Sequence, residues 1–208
     1  MLKIILIDDH QLVREGLRAL LEKQPDMDVV GEATNGRDGI RLARNKEPDI
    51  VIMDVAMPDL NGVDATRRIL HFLPKTKIIA LSMHSDGRYV DRMLEAGAKA
   101  YLLKHRASSE LIQAIEQLKR GAPVLSCESR DASIEVQETK GVDSLTVRER
   151  EILQLLAEGH SNKTISDKLS LSIKTVQTHQ ANIRTKLGIS AVAELTKFAI
   201  REGLTSLD

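Results

Sequence analysis

Four short, unbroken apolar runs mark the first half of the chain, and each stops on a reactive polar group. The run at 3–7 stops on Asp8 and Asp9, 50–53 on Asp54, 78–81 on Ser82 and 100–103 on Lys104. Continuous runs this short predict strands buried on both faces, as in a parallel sheet. Between the runs, apolar positions recur at helical spacing: Leu12, Val13, Leu17, Leu20 and Leu21 form one stripe over 11–23. A further strand is predicted over 28–33, and helices over 38–45, 62–72, 86–96 and 108–120. Five strands alternating with five helices predict a doubly wound α/β domain over 1–121, with right-handed crossovers.

The pattern breaks over 122–143, where Gly, Pro, Ser and scattered acids replace periodicity. This stretch is predicted to be a linker, in which Ile134 and Val136 could dock on a neighbouring surface. From 144 to 208 only helical signals remain. Thr146-Val147-Arg148-Glu149 has the form of a capping box, and Gly159 closes the helix it begins. A short helix over 162–169 follows, then one capped by Ser172 and stopped by Gly188, then a fourth capped by Ser190 and ending near Gly203. A short helix, a brief turn and a longer capped helix predict a small all-α, four-helix domain of helix-turn-helix type.

Composition narrows the class. With 42% hydrophobic and 29% charged residues, the chain reads as soluble and globular, and 208 residues suit two modest domains. Aromatic residues are only 2%, so both cores must be aliphatic. Cys127 is the sole cysteine, which excludes an internal disulfide and a cysteine-rich metal site. The start lacks a basic-then-apolar leader and no apolar stretch approaches about 20 residues, so a cytoplasmic protein without a membrane partner is expected. The formal net charge is zero, yet between residues 161 and 187 five cations (Lys163, Lys168, Lys174, Arg184, Lys186) face the single acid Asp167.

In a parallel sheet, ligands bind beyond the carboxyl ends of the strands. Asp8, Asp9, Asp54, Ser82 and Lys104 are therefore expected to meet there. Three crowded carboxylates repel one another unless a cation neutralises them, and oxygen ligands with open positions favour Mg²⁺. One carboxylate can then attack phosphorus, while Lys104 and the Ser82 hydroxyl hold the oxygens of the transferred group. The chemistry expected is phosphoryl transfer onto an aspartate. In the basic segment, a wheel over 173–187 puts Ile173, Val176, Gln180, Ile183 and Leu187 on an anchoring face. The opposite face carries Lys174, Gln177, Thr178, Ala181 and Thr185. Such a face can enter a major groove, with Gln177 toward an adenine edge and Thr178 or Ala181 toward a thymine methyl. Lys163, Arg184 and Lys186 suit phosphates.

On these residues the first domain resembles the receiver of two-component response regulators. The carrying motifs are Ile-Asp-Asp-His (7–10), Val-Ile-Met-Asp-Val-Ala-Met-Pro-Asp-Leu-Asn-Gly (51–62), Ala-Leu-Ser (80–82) and Tyr-Leu-Leu-Lys (101–104). The resemblance implies a flavodoxin-like fold, Asp54 as acceptor of phosphate from a sensor histidine kinase, and Mg²⁺ as cofactor. It further implies Asp9 as direct metal ligand, Asp8 acting through water, the Ala56 carbonyl on the metal, Ser82 and Tyr101 as switch residues, and Lys104 as phosphate partner. The second domain resembles that of LuxR/FixJ-type regulators through residues 145–153, 159–165, 174–179 and 183–187. Here the resemblance implies double-stranded DNA as partner, with Lys174, Thr175 and His179 at the DNA-facing end and Gln177, Thr178 and Ala181 facing bases. It also implies a homodimer, paired in part through the last helix with Val192, Leu195, Ala199 and Ile200. Together these point to a transcription regulator of the NarL/FixJ family rather than an enzyme. Two rival readings are a haloacid-type phosphatase, which would need an acid where Ala56 stands, and a receiver serving only as a dimer scaffold. His105 and Arg106 depart from the family pattern by adding positive charge after Lys104. Ala56 offers no polar group to orient water, so a long-lived acyl phosphate is expected.

Overall fold

The structure, a computed structural model, describes residues 1–121 and 141–205, which fall into two compact units. The first contains β1 (Leu2–Ile7), β2 (Met27–Ala33), β3 (Ile50–Asp54), β4 (Lys77–Ser82) and β5 (Ala100–Leu103). These alternate with α1 (Gln11–Leu21), α2 (Gly36–Lys46), α3 (Gly62–Phe72), α4 (Gly87–Glu95) and α5 (Ala107–Lys119). All neighbouring strands run parallel, in the order β2-β1-β3-β4-β5. Alternate residues of each central strand feed opposite cores. Ile4, Leu6, Ile52, Ile79, Leu81 and Leu102 pack with Leu17 and Leu21 of α1 and Leu111, Ile115 and Leu118 of α5. Ile5, Ile7, Val51, Met53, Ile78 and Ala80 pack with Ala43, Ile69 and Met93 of α2, α3 and α4. Because both faces are covered, the strand sequences are apolar without alternation.

Short polar side chains start three of the crossover helices. Asn35 accepts from the Asp38 amide, Asn61 from the Asp64 amide and Asp86 from the Arg88 amide. The strand order reverses direction between β1 and β3, so the crevice for a ligand opens at their carboxyl ends. Asp8 and Asp54 stand at those two ends. A single turn of 3₁₀ helix at Lys104–Arg106, absent from the sequence expectation, joins β5 directly to α5.

The second unit contains α6 (Val147–Ala157), α7 (Asn162–Leu169), α8 (Ile173–Leu187) and α9 (Val192–Arg201), preceded by a 3₁₀ turn at Val142–Ser144. The capping box forms as expected: Thr146 Oγ1 accepts from the Glu149 amide, and Glu149 accepts from the Thr146 amide. Val176 and Ile183 of α8 reach the core shared with Ile152, Leu153, Ile165, Leu195 and Phe198. Two expectations need correction. Ser190 does not cap α9, because Ile189 is drawn onto the core after the left-handed Gly188 (φ 69°) and the cap position falls on Ala191. Ile173 is not an anchor: it is the first residue of α8, a turn before the core begins, and remains 45% exposed. The expected linker, with Cys127, Ile134 and Val136, lies outside the described residues except for its last three positions: Gly141 caps the unit's 3₁₀ turn, and Val142 and Asp143 are within it.

Candidate functional site

The pocket at the ends of β1 and β3 is built by register. Ile7 pairs with Met53 and Asp54 with Leu81, so the residues following β1, ending β3 and ending β4 come side by side. The Lys104 ammonium, almost wholly buried, donates to Asp54 Oδ2 at 2.7 Å and to Asp8 Oδ1 at 3.0 Å. Gly62 allows the loop after Asp54 to fold back. Its amide donates to the Val55 carbonyl at 2.9 Å, and a Cβ there would lie 2.0 Å from the Asp54 carbonyl oxygen. The main chain at Asp54 and the start of α3 are thus in direct apposition.

Electrostatics follow from two carboxylates, Asp8 and Asp54, facing one ammonium, with the Asp9 carboxylate nearby. Burial, then the Asp8 charge beside it, push the Asp54 carboxyl up to about 8 against the pull of Lys104. Burial alone would push the Lys104 amine down, but Asp54 and Asp8 outweigh it and hold the ammonium above the ordinary lysine range. Asp8 Oδ2 lies 2.9 Å from Lys104 Nζ yet accepts no well-directed hydrogen bond, and Asp9 Oδ1 accepts none either. Donor atoms of Asp8, Asp9, His10 and Asp54 lie within 4.8 Å of one another. Unsatisfied oxygens on crowded acids fit a divalent cation.

The remaining expected residues take defined places. Ser82 is buried at the end of β4, where its Oγ accepts from the His84 amide at 3.0 Å. Tyr101 is buried on β5, and its hydroxyl donates to the His84 carbonyl at 2.8 Å. The His84 ring in turn stacks on Tyr89, with centroids 5.0 Å apart. Ala56 is half-buried in the loop after β3. His105 and Arg106 are both exposed, and Arg106 pairs with Glu110 of α5 at 3.7 Å. Two pocket residues escaped the sequence reading. His10 lies among the acids, and the Arg14 guanidinium donates to the Asp8 carbonyl at 2.7 Å while pairing with Glu32. No spacing in the sequence marks Arg14, because Asp8 lies before α1 and the loop between them sets their approach.

In the second unit, Lys174, Gln177, Thr178, Ala181 and Thr185 of α8 are exposed, while Thr175 and His179 are half-buried on its flanks. The Thr178 hydroxyl donates to the Lys174 carbonyl and that of Thr185 to the Ala181 carbonyl, both at 3.0 Å. Two partly buried ties set the helix on its scaffold. Gln180 Nε2 donates to Asn162 Oδ1 at 2.8 Å, and Lys186 Nζ donates to Glu149 Oε2 at 2.7 Å. Burial raises the Glu149 carboxyl, but the hydrogen bonds from Lys186 and Thr146 outweigh it and hold it below the usual range. Lys186, expected on phosphate, is therefore engaged within the fold. Lys163 is exposed near the start of α7, and Arg184 is half-buried.

Residues 4–116 match the response regulator receiver domain, and residues 143–199 match the bacterial regulatory proteins of the luxR family. The transcriptional regulatory protein LiaR of Bacillus subtilis is 41% identical over 211 residues, spanning 99% of this chain and all of LiaR. Among solved structures, the Salmonella typhimurium response regulator RcsB is 27% identical with a TM-score of 0.65, over 97% of this chain and 98% of RcsB. A second structure, of Salmonella enterica serovar Typhimurium RcsB bound to promoter rprA in the presence of the phosphomimetic BeF3⁻, has a TM-score of 0.59. It is 26% identical over 95% of this chain and 98% of that one.

Proposed function

The chain belongs to the response regulators that join a receiver domain to a LuxR-type DNA-binding domain, and on that premise we propose that phosphate on Asp54 controls its transcriptional activity. The observation that supports this most directly is the Lys104 ammonium between Asp54 and Asp8, at 2.7 and 3.0 Å, in a buried strand-end pocket. A sensor histidine kinase is the expected donor. An Asp54 carboxylate oxygen forms the bond to phosphorus as the phosphorus–nitrogen bond of the donor breaks, and the departing imidazole takes up a proton. Lys104 then holds one oxygen of the transferred group by charge, and the Ser82 hydroxyl, buried at the end of β4, turns to hold another by hydrogen bond. Asp9, Asp8, Asp54 and the Ala56 carbonyl are the groups that would hold a divalent cation, Mg²⁺ in this reading, and the cation would supply positive charge between the acids and the incoming phosphate.

When Ser82 turns toward the phosphoryl group, its bond from the His84 amide is the contact that must change. Tyr101 bonds to the same residue's carbonyl, so the loop after β4 carries the change to the α4–β5 surface. That surface governs pairing of two copies or release of the DNA-binding unit. Lys174, Gln177, Thr178 and Ala181 then face base edges, Thr175, His179, Lys163 and Arg184 flank them on the backbone, and Lys186 acts mainly by holding α8 on α6. In α9, Leu195 and Ala199 are used by the unit's own core, which leaves Val192, 45% exposed, and the half-buried Ile200 for a second copy.

The test is labelling. Acetyl phosphate or a phosphohistidine donor with Mg²⁺ should label the full chain, and Asp54→Ala should abolish the label. Label retained at wild-type stoichiometry in Asp54→Ala would remove Asp54 from the acceptor role.

A further inference from the structure

His10 stands in the acidic pocket, although the phosphoryl-transfer reading gives it no task. Its backbone amide donates to Asp8 Oδ1 at 2.9 Å, which turns the chain so that the imidazole lies over the strand ends. Nδ1 is then 2.8 Å from Asp9 Oδ1, 3.2 Å from Asp8 Oδ1 and 4.0 Å from Asp54 Oδ2. A small divalent cation with octahedral bonds of about 2.1 Å holds adjacent donors about 3.0 Å apart and opposite donors about 4.2 Å apart. The three separations match two edges and one diagonal of a single coordination shell.

The neighbours of this nitrogen conflict with one another. Lys104 Nζ, 3.3 Å from His10 Nδ1, can only donate, whereas Asp9 Oδ1 at 2.8 Å and Asp8 Oδ1 at 3.2 Å can only accept. With the proton on Nδ1 the ring opposes the ammonium, and with the proton on Nε2 the Nδ1 lone pair opposes both carboxylates. A cation held between Nδ1 and the carboxylate oxygens would remove the second conflict. A second, independent observation points to a ligand: Asp8 is 98% buried (2% exposed) and its Oδ2 accepts no hydrogen bond among the described residues, as is true of Asp9 Oδ1.

We propose that His10 Nδ1 is a direct ligand of the cation in this pocket, and that the mixed nitrogen–oxygen set prefers a transition cation of the Co²⁺ class to Mg²⁺. The inference rests on the pocket being a cation site, as read above, and adds the identity of a donor and of the metal class. Mg²⁺ gains little from imidazole and keeps its water, whereas Co²⁺, Ni²⁺ and Zn²⁺ bind imidazole nitrogen strongly. A regulator with this donor set loads such a cation at concentrations far below those at which it loads Mg²⁺.

The experiment titrates untagged full-length protein with CoCl2 and with MgCl2, reading thermal midpoint for both and visible d–d absorption for Co²⁺. In the wild type, Co²⁺ should bind at least about tenfold more tightly than Mg²⁺, and Asp54→Asn should weaken both, which assigns the signal to this pocket rather than to other histidines. His10→Ala, at a half-exposed position, should weaken Co²⁺ by about tenfold or more while changing Mg²⁺ by less than about twofold. Unchanged Mg²⁺ binding then also shows that the variant pocket is folded. Equal Co²⁺ affinity in wild type and His10→Ala overturns the proposal and leaves the cation site standing. Equal loss of both metals in His10→Ala overturns it too, since His10 would then shape the pocket without ligating. Absence of any Asp54-dependent binding of either cation overturns the reading of the pocket itself.

Discussion

At the scale of single residues, the pocket stores unfavourable charge that phosphate chemistry can use. The Asp54 carboxyl is pushed up to about 8 by burial and by Asp8, so between its ordinary value near 4 and that value it stays protonated when folded and ionises when unfolded. Stability from this group is therefore complete at low pH and is lost as pH rises toward about 8. Asp54→Asn removes the titration and keeps the shape, while Lys104 retains Asp8 as partner. Without divalent metal at pH 8, Asp54→Asn should raise the thermal midpoint by about 2–5 °C, and at pH 5 the gain should shrink. Equal gains at both pH values would show that the carboxyl is not strained. These carboxylates were legible in the sequence because an unbroken apolar run ends where a buried strand ends, and the first polar group there has only one place to be. His10 was not legible: it belongs to no periodic face, and only the turn made by its amide on Asp8 brings its ring over the pocket. The Lys186–Glu149 pair was hidden for a related reason, since an exposed basic run gives no sign of which cation a distant acid will claim.

At the scale of elements, helix and strand positions followed from pattern, and the departures came at ends. The wheel for α8 gave the correct inward direction for Val176, Gln180 and Ile183, but it has no coordinate along the axis and so could not show that Ile173 precedes the core. Two junctions bear on the proposed function. The first is α3 against the strand that carries Asp54. A Cβ on residue 62 would meet the Asp54 carbonyl oxygen at 2.0 Å, and that neighbour is backbone, which cannot step aside cheaply. Gly62→Ala should destabilise the first unit by about 2–4 kcal/mol and slow phosphorylation even below the melting range, as measured by denaturant unfolding and by labelling rate. A neutral substitution would mean that the loop has slack. The second junction is the tie between α8 and α6. If Lys186 holds the helix, Lys186→Met should lower DNA affinity without changing the slope of log affinity against log salt. Lys163→Ala, losing a phosphate contact, should reduce that slope by about 1. The reverse pattern would return Lys186 to the DNA surface.

At the scale of the whole molecule, input and output chemistry reside in units whose cores share no residue, so each should fold by itself and regulation must be a property of their connection. The first unit buries its own two-sided sheet core, and the second buries Val142 and Leu145 from the 3₁₀ segment along with the inward faces of all four helices. A zero net charge for the full chain conceals the basic helix-turn-helix segment, which is why bulk composition said nothing about nucleic acid. This organisation predicts that a fragment of residues 141–208 folds cooperatively and selects the same DNA sequences as the full chain. A fragment beginning at 146 lacks the two buried side chains of that segment and should be less stable by about 2–4 kcal/mol. Acetyl phosphate should alter DNA affinity only in the full chain with Asp54 intact. A 141–208 fragment that responds to phosphodonor, or a full chain carrying Asp54→Ala that responds like wild type, would place control outside the strand-end pocket.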